Sequence, residues 1–180
     1  MNTWRNLPGK IWVTIASLDP RLRERSRSAA ARLSPRESEL FLTMARYDLA
    51  HSLAVAARLE DDSLLYRAAL LHDAGKLRSE LGLFARWLYT AMELFMPRRL
   101  QQAGASVEMQ ATGEGVKERM YSLPRGWKRG LYVQLHHGEI AGELLSAAES
   151  GEELVRLVGG HQQEPVDGRS RRLREADDSL

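Results

Sequence analysis

The run Leu70-Leu71-His72-Asp73-Ala74-Gly75-Lys76 constrains this chain more than any other stretch. A run apolar enough to belong in a core ends in an adjacent imidazole and carboxylate. Burying such groups without partners costs roughly 2–7 kcal/mol on transfer scales. A fold that buries this segment must supply a compensating charge, and a divalent cation is the candidate. The run continues the helical pattern "SLLYRAALL" (residues 63–71). Gly75 and Lys76 read as the close of that helix, because glycine tolerates the left-handed turn that ends many helices. His72 and Asp73 then fall in its last turn.

Helical spacing recurs along most of the sequence. Ser34-Pro35-Arg36-Glu37 has the form of a capping box with proline at the first helical position, opening a helix through about Arg46. The segment "DLAHSLAVAARLE" (residues 48–60) places Leu49, Leu53, Ala56 and Ala57 on a helical period. An apolar helix is predicted over residues 81–96. Arg86 and Glu93 interrupt it, which excludes a membrane span, and Pro97 ends or kinks it. Periodicity resumes in "HGEIAGELLSAA", "EELVRLVGG" and a closing "RRLREADDSL", whereas residues 107–127, rich in glycine and proline, are undecided. Residues 10–18 alternate Ile11, Val13 and Ile15 like a strand, but a lone strand has no partner here, so this run too is read as a helix. At 180 residues the expectation is an all-α, single-domain bundle, with residues 1–33 an N-terminal helical extension packed on a core formed by residues 34–180.

Composition narrows the chemistry. With no cysteine, the chain can form neither a disulfide nor a thiolate metal site, so any metal must be held by nitrogen and oxygen. Together with an N-terminus lacking the charged, apolar and small-residue succession of a secretory signal, this leads to a cytoplasmic expectation. The 26 basic and 24 acidic residues are interspersed, so nucleic acid is not expected as a partner, and the arginines of residues 21–36 and 169–174 read as solvated helix faces. No membrane partner is expected, and homo-oligomerisation is compatible with the sequence.

All five histidines, His51, His72, His136, His137 and His161, lie within or at the end of apolar helical patterns. Neutral imidazole and carboxylate suit Mn, Fe, Ni, Co or Zn, and ligands on several helices can converge inside a bundle. His72 and Asp73 project about 100° apart on an ideal helix, yet at a helix end both can reach one ion near the axis extension.

This pattern resembles the HD-domain superfamily of metal-dependent phosphohydrolases, whose hallmark is a histidine, then a His-Asp pair, then a distant aspartate. "HSLAV" supplies His51, "ALLHDAGK" supplies His72 and Asp73, and "LREADDSL" supplies Asp177, over residues 34–180. Asp167, Asp177 and Asp178 all follow His161, and the resemblance favours Asp177, which follows Ala176 in the helical "LREAD" context. It implies an HD-type helical bundle holding a divalent metal, Mg included among the possible ions, through His51, His72, Asp73 and Asp177. "HHGEIAGELL" and "LVRLVGGHQQ" resemble the longer motif of two-metal members, which adds His137 and His161 as contacts to a second metal or to phosphate. Gln162 stands where that motif has a second histidine, and glutamine is a poor ligand, so one complete metal site is expected.

The implied activity is hydrolysis of a phosphate ester by metal-activated water, the substrate being a nucleotide or a related small phosphorylated molecule. Asp73 and Lys76 are the candidate catalytic residues, Asp73 as ligand and water-orienting group and Lys76 as a cation for substrate phosphate. Arg125, Lys128 and Arg129 around Trp127 read first as a solvated loop, with a basic aromatic wall beside the site, its indole stacking on a base, as the alternative. Two other readings fit the residues: a nucleotide-sensing domain with little turnover, and a structural helical protein whose histidines satisfy the core.

Overall fold

A computed structural model describes residues 6–78, 80 and 82–180. Residues 1–5 of the N-terminal extension and the first residue of the 81–96 helix lie outside the described residues. Among those described there are eleven α-helices and no strand: α1 Leu7–Ala16, α2 Leu22–Ala30, α3 Pro35–Leu42, α4 Arg46–Ala56, α5 Ser63–Leu71, α6 Leu83–Phe95, α7 Pro97–Gln110, α8 Val116–Ser122, α9 Trp127–Ala147, α10 Glu152–Gly159 and α11 Gly168–Asp178. A 3-10 turn, Ala74–Lys76, follows α5.

The starts and stops have local causes. Ser34 caps α3, its hydroxyl accepting from Glu37 N while the Glu37 carboxylate takes Ser34 N–H. That helix ends at Leu42, short of the predicted Arg46, because Ala45 is extended (φ −66°, ψ 151°) and a separate α4 starts after it. Asp62 caps α5 by accepting from Leu64 N and Leu65 N at 3.0 and 3.2 Å. Pro97 separates α6 from α7, and the undecided 107–127 span holds the end of α7, all of α8 and the first residue of α9.

The run at residues 10–18 is helical through Ala16, and its alternation does not mark the core: Val13 is fully buried, whereas Ile11 and Ile15 are 47% and 65% exposed. On a helix, residues two apart lie on opposing faces. Val13 joins Leu22, Phe41, Leu49, Val55, Leu65, Leu70, Leu71, Leu145, Leu157 and Leu173 in one apolar cluster. A second cluster gathers Tyr89, Val107, Met120, Leu123, Leu131, Tyr132, Val133 and Ile140 from α6 to α9. The long α9 feeds both, giving Leu131 to Val133 to one and Ala141 and Leu145 to the other. His137 sits where α9 passes between them. No described helix is long and apolar enough to cross a membrane.

Candidate metal centre

Five segments bring ionisable groups to one point. His51 comes from α4, which buries residues on all sides: Asp48, Leu49, Ala50, His51, Ser52, Val55 and Ala56. His72 and Asp73 do not occupy the last turn of α5. The helix ends at Leu71, and Asp73 has bridge-region backbone angles (φ −94°, ψ 3°) leading into the 3-10 turn.

Gly75 has no left-handed conformation; among described glycines only Gly113 and Gly126 have positive φ. It is required for close approach. A Cβ there would lie 1.9 Å from His137 O and 2.7 Å from Ala141 N, so only glycine lets α9 press against the turn that carries His72 and Asp73.

α9 is interrupted at His136 (φ −119°, ψ 15°). Two groups that an unbroken helix pairs with each other take side-chain partners here: Gln134 O accepts from His137 Nδ1 at 2.9 Å, and Gly138 N donates to Gln162 Oε1 at 2.9 Å. Gln162 thus stabilises the kink that aims His137, rather than serving as a ligand. Small residues also let α10 lie close: a Cβ on Gly142 would be 3.1 Å from Gly159 Cα. His161 follows α10, and Asp177 lies in the last turn of α11.

Two groups of potential ligands result, His51–His72–Asp177 and Asp73–His137–His161, the ligand atoms of each within 4.8 Å of one another. Asp73 stands between them, its Oδ1 3.5 Å from His72 Nε2 and 3.4 Å from His137 Nε2. Asp177 Oδ1 lies 2.8 Å from His51 Nε2 and 3.5 Å from His72 Nε2. Lys76 Nζ donates to Asp73 Oδ2 at 2.8 Å.

The other candidates fall elsewhere. Asp167 caps α11, accepting from Ser170 N at 2.7 Å, and Asp178 lies 3.6 Å from Arg174. His136 stacks on Tyr132 and contacts Glu108. The supposed basic wall divides: Lys128 donates to Gln110 and Arg129 to Leu123 O. Trp127 and Arg125 line a separate apolar groove of about 560 Å³ that shares Tyr89, Leu100 and Leu131 with the metal cleft.

The donor set fits a metal. A carbonyl oxygen can only accept, so the contacts of His72, His137 and His161 Nδ1 with the carbonyls of Ala69, Gln134 and Val158, at 2.8, 2.9 and 2.8 Å, fix the proton on Nδ1. In each neutral ring the Nε2 lone pair is then left facing the cluster, as in metal-ligating histidines. His137 Nε2 and His161 Nε2 approach to 3.3 Å, two lone pairs face to face in the neutral rings. His72 Nε2 and Asp73 Oδ1 are fully buried without a hydrogen-bond partner, and a cation satisfies both.

The electrostatics of the metal-free protein agree. Burial lowers the pKa of His161 to about 3, reinforced by His137 and His72, and burial with Lys76 lowers that of His137. Burial opposes charge on His72 as well, but Asp73 and Asp177 beside it raise its pKa to about 9. Burial likewise opposes ionisation of Asp73, yet Lys76 and His72 hold it well below the ordinary carboxylate value.

His51, Lys76, His137, His161 and Asp177 line a cleft of about 310 Å³. Beyond the residues named from sequence, the cleft is lined by Lys10, Tyr47, Tyr89, Gln134 and Arg174. Of these, only Lys10 carries a sequence signal usable in hindsight, lying three residues before the buried Val13 on the same helical face. Comparison with protein-family models, with curated proteins and with solved structures returns no match.

Proposed function

We propose that this chain is a metal-dependent phosphohydrolase of the HD type that hydrolyses a phosphate ester, a nucleotide being the substrate class the sequence resemblance favours. The observation that carries the reading is the meeting of His72 Nε2 and His137 Nε2 with the orphaned Oδ1 of Asp73, beside His161 Nε2, each ring oriented by its Nδ1–H bond to a backbone carbonyl, next to an open cleft that His51, His137, His161 and Asp177 line.

His51, His72 and Asp177 would hold one divalent cation and Asp73, His137 and His161 a second, with Asp73 placed to serve both. When bound, such cations polarise a phosphoryl oxygen and make water a usable nucleophile near neutral pH. Water oxygen bonds to phosphorus as the ester P–O bond breaks, and the proton that the water sheds balances the one taken up by the departing alkoxide. Asp73, held ionised, is a weak base, so its role is to orient. Lys76 fixes the Asp73 carboxylate and offers its remaining N–H groups to a phosphate oxygen.

Protein purified without chelator is expected to contain about two divalent ions per chain and to release product from a generic phosphate ester or from one of a panel of nucleotides in the presence of Mn2+. His72→Ala and Asp73→Ala are expected to lose both metal and activity with helix content retained, and His161→Ala to keep about one ion. Metal-free wild-type protein under these conditions, or tight nucleotide binding without phosphate release, would overturn the hydrolase reading.

A further inference from the structure

Lys10 belongs to α1, outside the residues that carry the family resemblance. Its side chain nevertheless lines the same cleft as His51, His137, His161 and Asp177. With Lys76, Tyr47 and Gln134 it also lines a smaller adjoining recess of about 40 Å³. Other cations on the cleft walls and in the surrounding core are engaged: Arg86 donates to Asp48, Arg67 to Glu37 and Lys76 to Asp73, at 2.8, 2.7 and 2.8 Å. Lys10 has no hydrogen-bond or ion-pair partner for its ammonium among the described residues, although it is partly buried.

The groups whose charge reaches Lys10 are Lys76, which repels it, and Asp177, Asp73 and Glu93, which attract it; burial and Lys76 prevail and lower its pKa. Asp177 is already bonded to His51, and Asp73 to Lys76. Cations bound by Asp73 and Asp177 would consume the two carboxylates nearest the metal centre. Two ammonium groups would then share a partly dry cleft with Glu93 and with an Arg174–Asp178 pair 3.6 Å apart. An anion entering there would meet both ammonium groups, each able to face one of its oxygens.

We infer that Lys10, together with Lys76, forms an anion subsite that selects the doubly charged phosphate of a monoester over the singly charged phosphate of a diester. The inference rests on the phosphohydrolase reading for its substrate and on the cleft itself for its anion. A phosphate monoester carries close to two negative charges at neutral pH, its second pKa being about 6, whereas a diester carries one. The additional oxygen charge is what a second ammonium can recognise. Lys10 is thus a specificity-determining residue, absent from the motif that supplies the ligands.

Two measurements test it. Inorganic phosphate titrated into the protein, with and without Mg2+ and followed by 31P NMR, is expected to bind about tenfold more weakly to Lys10→Gln than to wild type, with Lys10→Arg restoring binding. With Mn2+, Lys10→Gln is expected to raise KM for p-nitrophenyl phosphate about tenfold while leaving kcat within about twofold, and to leave bis-(p-nitrophenyl) phosphate kinetics unchanged. Equal phosphate affinity in wild type and Lys10→Gln overturns the subsite, as does an equal loss on both esters. Should the wild type hydrolyse neither ester, the hydrolase reading fails and the phosphate titration alone decides the role of Lys10. Unchanged helix content and melting temperature in the variant show that binding, and not folding, was altered.

Discussion

His72 carries the proton that a metal ion would have to displace. In the metal-free protein burial works against its charge, but Asp73 and Asp177 raise its pKa to about 9, so at neutral pH it is an imidazolium. His51 and His137 have lowered values and His161 lies near 3, so those three rings are neutral and have no net proton to give up. Filling the His51–His72–Asp177 group therefore releases one proton, from His72. Below about pH 9 that proton competes with the metal, and raising the pH removes the competition. The affinity of this group for Mn2+ is expected to strengthen about tenfold per pH unit between pH 6 and 8 and to level off above pH 9. Competition against a chelator of known affinity, read by electron paramagnetic resonance, checks this, and a pH-independent affinity would contradict the assignment. In Lys76→Gln one cation that opposes charge on His72 is gone, so the levelling is expected at higher pH.

At the scale of elements, the contact between α9 and the turn after α5 sets the geometry. The Cβ of Gly75→Ala would meet the backbone of His137 and Ala141, at 1.9 and 2.7 Å, and neither atom can rotate away. α9 must retreat, and with it His137. The expected cost is about 1–3 kcal/mol, which for a chain of this size is a fall of roughly 2–10 °C in melting temperature, with weaker metal retention alongside. Gly151→Ala, where no atom lies within 4 Å of the added carbon, is the control and is expected to be close to neutral. This pair also shows what a sequence exposes. The glycine after the His-Asp pair was visible, and so was an all-α fold, since α6 and α10 carry strong apolar periods. The reason for the glycine was not visible, because it resides in a helix more than fifty residues downstream. The kink in α9 was hidden in the same way: Gln162 reads as a failed ligand until the N–H of Gly138 is seen to need it. Lys10 shares a helical face with Val13, but that spacing alone does not separate it from a solvated lysine. Only the packing of α1 brings it to the cleft.

For the whole molecule, a bound cation would tie segments distant in sequence, and α11 would depend on it most. That helix buries only Leu173 and Ala176, and many of its ion pairs, Arg172 with Asp61 among them, are solvent-exposed and contribute little. Leu180 beyond it is buried as well, and the polar link to the cluster is Asp177, whose carboxylate reaches His51 and His72. A metal present at a thousandfold its dissociation constant stabilises the folded state by about 4 kcal/mol. Removal by chelator is therefore expected to lower the melting temperature by several degrees. The loss is not expected to be even: backbone amides of α11 should gain hydrogen exchange first and most, while those of α5, whose Leu65, Leu70 and Leu71 are fully buried, change little. Asp177→Asn supplies the control, because it removes the charge the cation needs while keeping a side chain of the same shape beside His51. In that variant α11 should exchange as fast before chelation as the wild type does after it. Uniform protection changes across all helices, or an α11 indifferent to both chelator and substitution, would mean that Asp177 is held by its histidine hydrogen bond alone and takes no part in binding a metal.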